Sequence, residues 1–593
     1  MSFHPNDIAR RAQASGIAVV VIFLVLGGAF FRKQVLQNEL YALESEKNRL
    51  REVPLPAPRG IIYDRRGEVI AENVPGYSVA VLSSSLGELR EMLRRLSETV
   101  PLTPGQIDRT VRAFQREPAR PALVFSDAPF DVVSVLEEHR IDFPGLIIQS
   151  APKRYYPDSI AVASFVGYIG EIAENQLTLP AYQGYKAGQQ IGVAGIEHAY
   201  ENQLRGHEGR RFVEVDAMGR VVREAGARPE LLPEAGPALQ TNIDLELQRH
   251  IVSIFGDSLQ GGVVALEPHT GAVLALHSAP SFDPNRFIGG IPAGYWTQLQ
   301  TDPRRPLYNK AVQGRYPPAS TWKLATAVIA LQNGVARLDE RMPTPCTGAY
   351  LFGGRAFACW QRDGHGSIDM RRAIEVSCNV YFYQLGLRVN LHRLVAGGVA
   401  LGFRDRSGID IPRENSPIFP YSEPSVDDYF NQRYGPRNWT HAVVLNLAIG
   451  QGENSQTVVN MARFYTALAT DGMAATPEIV QREPHRVRLF DLTAAQQAGL
   501  RAALAGVISA GGTAAGSQIQ GLVTAGKTGT AQSGIGRPNH AWFVGFAPFD
   551  DPKIVIAVML EFGERGGRAA RVAKSIFEFY LKQTATQIIH VEG

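Results

Sequence analysis

Three short groups of residues carry side chains able to do chemistry together: Ser320-Thr321-Trp322-Lys323, Ser377-Cys378-Asn379 and Lys527-Thr528-Gly529-Thr530. A serine hydroxyl is a poor nucleophile until a base takes its proton, and a neutral lysine is competent for that task. Tyr316-Pro317-Pro318-Ala319 precedes Ser320, an apolar run from Leu324 to Leu331 follows, and Asn333-Gly334 closes the stretch. Those are helix start and stop signals. The predicted helix sets Ser320 and Lys323 about one turn apart on one face, where the lysine amine can reach the hydroxyl. A helix N-terminus disfavours the ammonium and favours negative charge developing on a substrate oxygen. The competing reading is an ordinary serine cap beside a solvated lysine.

The second group lies in an otherwise apolar stretch, Ile374 to Tyr383. There Ser377 can pass a proton between Lys323 and a departing amine, and Asn379 can hold Lys323 or a substrate amide. The third group reads as a β-strand from Val523 to Ala531, with a partner strand from Ala541 to Pro548. Gly526 and Gly529 are expected to leave room for a ligand to approach the strand backbone. Lys527 supplies positive charge, and Thr528 and Thr530 supply hydroxyl donors, a set suited to a carboxylate. The backbone N–H groups of Ser320 and Thr530 are candidate oxyanion-hole donors.

A second constellation overlaps the first. All three cysteines of the chain, Cys346, Cys359 and Cys378, fall in one stretch with His365 among them. That is a complete set of four donors for a structural, tetrahedral zinc. The spacing lacks a tight C-x2-C knuckle, so a disulfide with one thiol left over, or three buried thiols, stand as alternatives. No cofactor is expected for catalysis itself.

The elements that must position these groups come from the rest of the chain. Its 593 residues, 45% hydrophobic, suffice for two or three folded domains, and a net charge of +3 without basic–aromatic clusters argues against nucleic acid as a partner. Ala12 to Phe31 contain no charge, and twenty residues make a helix of about 30 Å, enough to cross a bilayer. A cleaved signal peptide is the rival reading. Arg10 and Arg11 on one side balance Arg32 and Lys33 on the other. The short amino-terminal tail therefore decides the expected orientation, amino terminus inside and body outside the cytoplasm. Residues Gln34 to Arg51 read as a polar helix continuing outward, and Gly226 to Pro237 as a turn-rich boundary. The expected organisation is a tail (1–11), a transmembrane helix (12–31), a non-catalytic pedestal (32–235), a catalytic domain (236–583) and a tail (584–593).

Taken together, the motifs, the anchor and the length resemble class B penicillin-binding proteins. Arg59 to Gly67, Gly195-Ile196-Glu197, Tyr200-Glu201, Leu204-Arg205-Gly206, Thr241 to Leu245 and Gly450-Gln451-Gly452 resemble further signatures of that family. The non-catalytic ones are expected to hold the pedestal together. The resemblance implies an α/β (α+β) multidomain fold in which an antiparallel sheet flanked by helices carries the active site. It implies a D,D-transpeptidase that cross-links peptidoglycan stem peptides through an acyl-enzyme on Ser320, releases D-Ala and is acylated by β-lactams. The elongation branch is the nearer one, with the division-specific enzymes as alternative and a membrane-anchored β-lactam sensor behind them. A soluble β-lactamase needs neither anchor nor pedestal. No glycosyltransferase module is evident, so the implied partners are a RodA-like SEDS polymerase and elongation-complex proteins at the membrane. Some members of the elongation branch carry zinc in the cysteine stretch, which favours that reading here.

Overall fold

The computed structural model describes residues 5–36, 50–118, 120–215, 221–223, 229–534 and 536–591. The first element is the helix Pro5–Phe31, whose apolar side chains, Phe23, Leu24 and Val25 among them, face outward on all sides. An apolar helix whose described side chains are all exposed belongs in lipid, consistent with a single-pass anchor. Most of the polar helix expected over 34–51 lies outside the described residues. Its end is corrected: Leu50 and Arg51 open the strand Leu50–Leu55, which pairs antiparallel with Gly209–Val215.

The folded chain forms two compact units. Of the described residues, the first takes in those within 1–58, 75–153 and 206–235, and the second those within 59–74, 154–205 and 236–593. Stretches 59–74 and 154–205, amino-terminal to the expected boundary, fall in the same unit as the catalytic motifs. In the first unit, the helices Leu86–Thr99 and Pro104–Arg116 bury Leu89, Leu93, Leu96 and Phe114 together with Val79, Val81 and Val124. Thr103 and Gln106 close a reciprocal capping box at the second helix, satisfying donors a bare helix end leaves orphaned.

At the heart of the second unit is a five-stranded antiparallel sheet in the order Val273–Ala279, Gly261–Leu266, Ile554–Leu560, His540–Ala547, Ala525–Ala531. Its strands are buried along almost their whole length, because helices cover both faces; Gly261–Leu266 and Ile554–Leu560 accordingly read as apolar runs, while the edge strand carries Lys527, Thr528 and Thr530. The strand bearing Lys527-Thr528-Gly529-Thr530 is the sheet edge, and its register pairs Thr530 with Ala541. Against the sheet lie the helices Val458–Ala469, Ala494–Ile508 and Gly566–Val591.

The motifs around Arg59, Gly195 and Tyr200 meet through space in a buried network of charges. Glu197, fully buried, accepts from Arg59 Nε at 2.5 Å, Arg154 Nε at 2.7 Å and the Tyr156 hydroxyl at 3.1 Å. Glu201 accepts from Arg59 at 2.6 Å and from the Gly192 amide at 2.7 Å. Buried charges survive only when paired and hydrogen-bonded in this way, and removing one partner strands the others at a cost of about 3–5 kcal/mol.

Candidate active site

Ser320 lies in a single 3-10 turn, Ala319–Trp322, and the α-helix proper begins at Lys323 and ends at Gln332. The start differs from the expected one by that turn, and Ala319 explains it. Its φ is +50°, a left-handed conformation that costs a non-glycine residue about 1 kcal/mol or more. Its amide donates to the Gly450 carbonyl at 2.9 Å, and a Cβ on Gly450 would lie 2.3 Å from the Ala319 carbonyl oxygen. Gly450 thus clamps the residue before the serine from behind. Trp322 then buries its ring between Phe403 and Phe419, fixing the turn's other end.

Lys323 is fully buried. Its Nζ donates to the Ser377 carbonyl at 2.9 Å, Asn379 Oδ1 at 2.8 Å and Ser377 Oγ at 3.2 Å. None of these is Ser320, so the expected lysine–serine contact is not formed as a hydrogen bond here; the amine is drawn to the acceptors of the second motif. Catalytic hydrogen bonds are commonly long without substrate and tighten in the complex. Burial lowers the Lys323 pKa to about 8, against the opposing influence of Cys378, Cys359 and Cys346, so about a tenth of the amine is neutral at pH 7 and most of it above pH 8.

The second motif is held by two devices. Ser377 sits at φ +55° between the helices Met370–Glu375 and Asn379–Val389, a strained link that turns its hydroxyl toward Lys323. Asn379 Nδ2 donates to the Ala358 carbonyl at 3.2 Å, and since an amide nitrogen cannot accept, that bond sets Oδ1 toward Lys323. Ala358 also takes the Tyr383 hydroxyl at 3.1 Å, and the Asn379 amide donates to Cys359 Sγ at 3.4 Å. The hairpin Ala349–Phe352/Arg355–Ala358 therefore orients the asparagine. Sequence reasoning missed it, because nothing local links residue 358 to residue 379.

Lys527 is also fully buried, donating to the Thr528 carbonyl at 3.2 Å. Burial first, and Lys323 second, hold its pKa well below the ordinary lysine range. The expected ligand room over Gly526 and Gly529 is corrected: the protein itself fills it. A Cβ on Gly529 would meet the Pro318 carbonyl oxygen at 3.0 Å, Trp542 Cβ at 3.1 Å and Thr321 Cγ2 at 3.3 Å; one on Gly526 would meet the Phe543 ring at 2.4 Å. Gly529 lets the edge strand lie directly against the serine turn, which unites the first motif with the third. Thr530 is exposed, and its Oγ1 accepts from the Gly566 amide at 3.2 Å.

The four metal-type donors are brought together as well. One donor atom from each of Cys346, Cys359, His365 and Cys378 lies within 4.8 Å of every other. His365 Nδ1 is 3.6 Å from both Cys346 Sγ and Cys359 Sγ, and all three cysteines are free and buried.

With this geometry in view, the comparisons are specific. The penicillin binding protein transpeptidase domain family matches residues 261–578. The chain belongs to that family. The penicillin-binding protein dimerisation domain matches residues 54–240. The peptidoglycan D,D-transpeptidase MrdA of Acinetobacter baumannii is 31% identical over 95% of this chain and 86% of its own length, and that of Haemophilus influenzae 30% over 98% and 93%. Among solved structures, the complex between penicillin-binding protein 2 and MreC from Helicobacter pylori gives a TM-score of 0.78 at 27% identity, covering 90% of this chain and 99% of that one. Pseudomonas aeruginosa penicillin-binding protein 2 in complex with WCK 5153 gives 0.67 at 28%, covering 89% and 96%. These relatives bear out the expected fold, family and enzyme class, a serine-type class B transpeptidase of the elongation branch, and do not favour the division-specific alternative.

Proposed function

We propose that Ser320 is the acyl-accepting nucleophile of a peptidoglycan D,D-transpeptidase, with Lys323 as its base. The observation that carries this reading is the buried Lys323 amine with its three acceptors from Ser377 and Asn379. Three N–H groups match three acceptors in the ammonium form. When the amine is neutral it has two N–H groups and a lone pair, and the Ser377 hydroxyl is free to rotate and donate to it.

The Ser320 oxygen attacks the penultimate D-Ala carbonyl as its proton passes to Lys323. The tetrahedral oxyanion is received by the Ser320 and Thr530 amides. Its C–N bond then breaks, and the departing D-Ala amine takes the proton from Lys323 by way of Ser377. An amine of a neighbouring stem peptide reverses the sequence and takes the acyl group; water in its place gives carboxypeptidation. Lys527, Thr528 and Thr530 hold the terminal carboxylate, with Gly529 giving the strand its approach to the serine turn. The carboxylate's charge restores the Lys527 ammonium that burial disfavours.

A structural zinc on Cys346, Cys359, His365 and Cys378 belongs to the same proposal. Zinc–sulfur and zinc–nitrogen bonds of roughly 2.3 and 2.0 Å at a tetrahedral angle set donors roughly 3.5 Å apart, and the cysteine–histidine separations are 3.6 Å. A disulfide needs sulfurs near 2.05 Å. With four protein donors the ion has no open position; bound there, it would fix the segments on either side of Asn379.

In the cell, the amino terminus is inside and the catalytic unit outside the cytoplasmic membrane. A neighbouring structure described as coordinating polymerization and crosslinking by a peptidoglycan synthase complex, TM-score 0.69 at 28% identity over 96% of this chain, supports a RodA-like polymerase as partner. The MreC complex supports an elongation assembly. The test is D-Ala release and cross-link formation on a pentapeptide-bearing strand with an amine acceptor. Wild type is expected to give both, and a Ser320→Ala variant that still gives either overturns the assignment.

A further inference from the structure

Thr513 belongs to none of the motifs, yet the structure ties it to two of them. It lies at the end of Ser509-Ala510-Gly511-Gly512, which folds back on the helix Ala494–Ile508. Gly511 has φ +80°, and a Cβ on Gly512 would sit 2.2 Å from the Val507 carbonyl oxygen, so only glycine permits a turn this tight. The turn places Thr513 Oγ1 2.7 Å from Thr528 Oγ1. The Thr513 amide donates to the Glu375 carbonyl at 3.4 Å, two residues before Ser377.

Each hydroxyl has one proton to give. If Thr528 donates to Thr513, it turns only lone pairs toward an incoming carboxylate. If Thr513 donates, the Thr528 proton is free for the carboxylate, and accepting one bond strengthens the one donated. We propose that Thr513 is a positioning residue for the carboxylate subsite, donating to Thr528 Oγ1 so that the Thr528 O–H is presented to the terminal carboxylate of the stem peptide. This rests on the assignment of Lys527 and Thr528 to that carboxylate. Thr513 touches no reacting atom; it sets the direction of one proton.

The experiment compares a penicillin with its carboxylate methyl ester on the full-length, detergent-solubilised protein, resolving the pre-acylation binding constant from the acylation step. Thr513→Val is expected to weaken binding of the acid by about three- to tenfold, the effect of one neutral hydrogen bond. Binding of the ester stays within about twofold, the acylation step is the same for both compounds, and Thr513→Ser restores acid binding. Thr513→Ala serves if the valine variant does not fold. Equal losses for acid and ester, no loss for the acid, or a serine variant behaving like valine would each overturn the proposal. Thr528→Val separates the two readings. If it too leaves the preference for acid over ester intact, the carboxylate assignment itself has failed; if only Thr513→Val leaves it intact, Thr513's role alone has failed.

Discussion

The pH dependence of acylation follows from the burial of Lys323. Its pKa is lowered to about 8 by desolvation, and only the neutral amine can take the Ser320 proton. The sign is fixed: acylation rises with pH through 8 and levels above it. At pH 7 about 9% of such a lysine is neutral and at pH 9 about 91%, so the acylation rate constant should climb about tenfold between them. A lysine at its ordinary pKa would be about 0.03% neutral at pH 7 and would climb about a hundredfold without levelling. The same shift acts on stability. The unfolded state binds more protons between pH 8 and about 10.5, so stability rises with pH across that window, by an order of 3 kcal/mol for a fully buried amine. Stopped-flow acylation with a fluorescent penicillin from pH 6 to 10, at constant ionic strength, reads the profile directly. Arginine cannot lose its proton in this range, so Lys323→Arg should abolish the rise. A flat wild-type profile, or one still climbing steeply at pH 10, would refute the assignment of Lys323 as base.

Three further outcomes follow from contacts described above. Gly529→Ala should slow acylation about tenfold with little change in melting temperature, since a methyl at 3.0–3.3 Å from Pro318, Trp542 and Thr321 moves the serine turn by tenths of an ångström; burst kinetics and thermal melts check both parts. Lys527→Met should raise the melting temperature by a few degrees while cutting acylation by carboxylate-bearing β-lactams at least tenfold. Among the described residues its amine is buried with no carboxylate partner and feels the charge of Lys323, and calorimetry with acylation rates would show a trade in opposite directions. His365→Ala should lower zinc content from about one per chain, melting temperature and acylation together, read by elemental analysis, melts and labelling; metal-free wild type with full activity would end the zinc reading.

Much of the site was legible because its chemistry lives in side chains at fixed spacing. Ser320 and Lys323 sit three apart at a helix start whatever surrounds them, and Cys346, Cys359, His365 and Cys378 cluster visibly along the chain. The apolar strands around Gly261–Leu266 and His540–Ala547 could be read from their runs. What could not be read is set through space. The orientation of Asn379 depends on Ala358 and Cys359, twenty residues away across a hairpin. The conformation of Ala319 depends on Gly450. Gly526 and Gly529 were legible as close-approach positions, but not that Phe543 and Pro318, rather than a ligand, would make the approach. Likewise Arg154 has no motif of its own, and its buried pairing with Glu197 is visible only once the chain is folded.

Mass spectrometry of the purified protein after incubation with a penicillin, followed by peptide mapping, tests whether Ser320 is the nucleophile set up by Lys323. One covalent adduct per chain on the peptide containing Ser320, lost in Ser320→Ala with folding intact, is the expected result. An adduct on any other serine, or one that persists in Ser320→Ala, would contradict it.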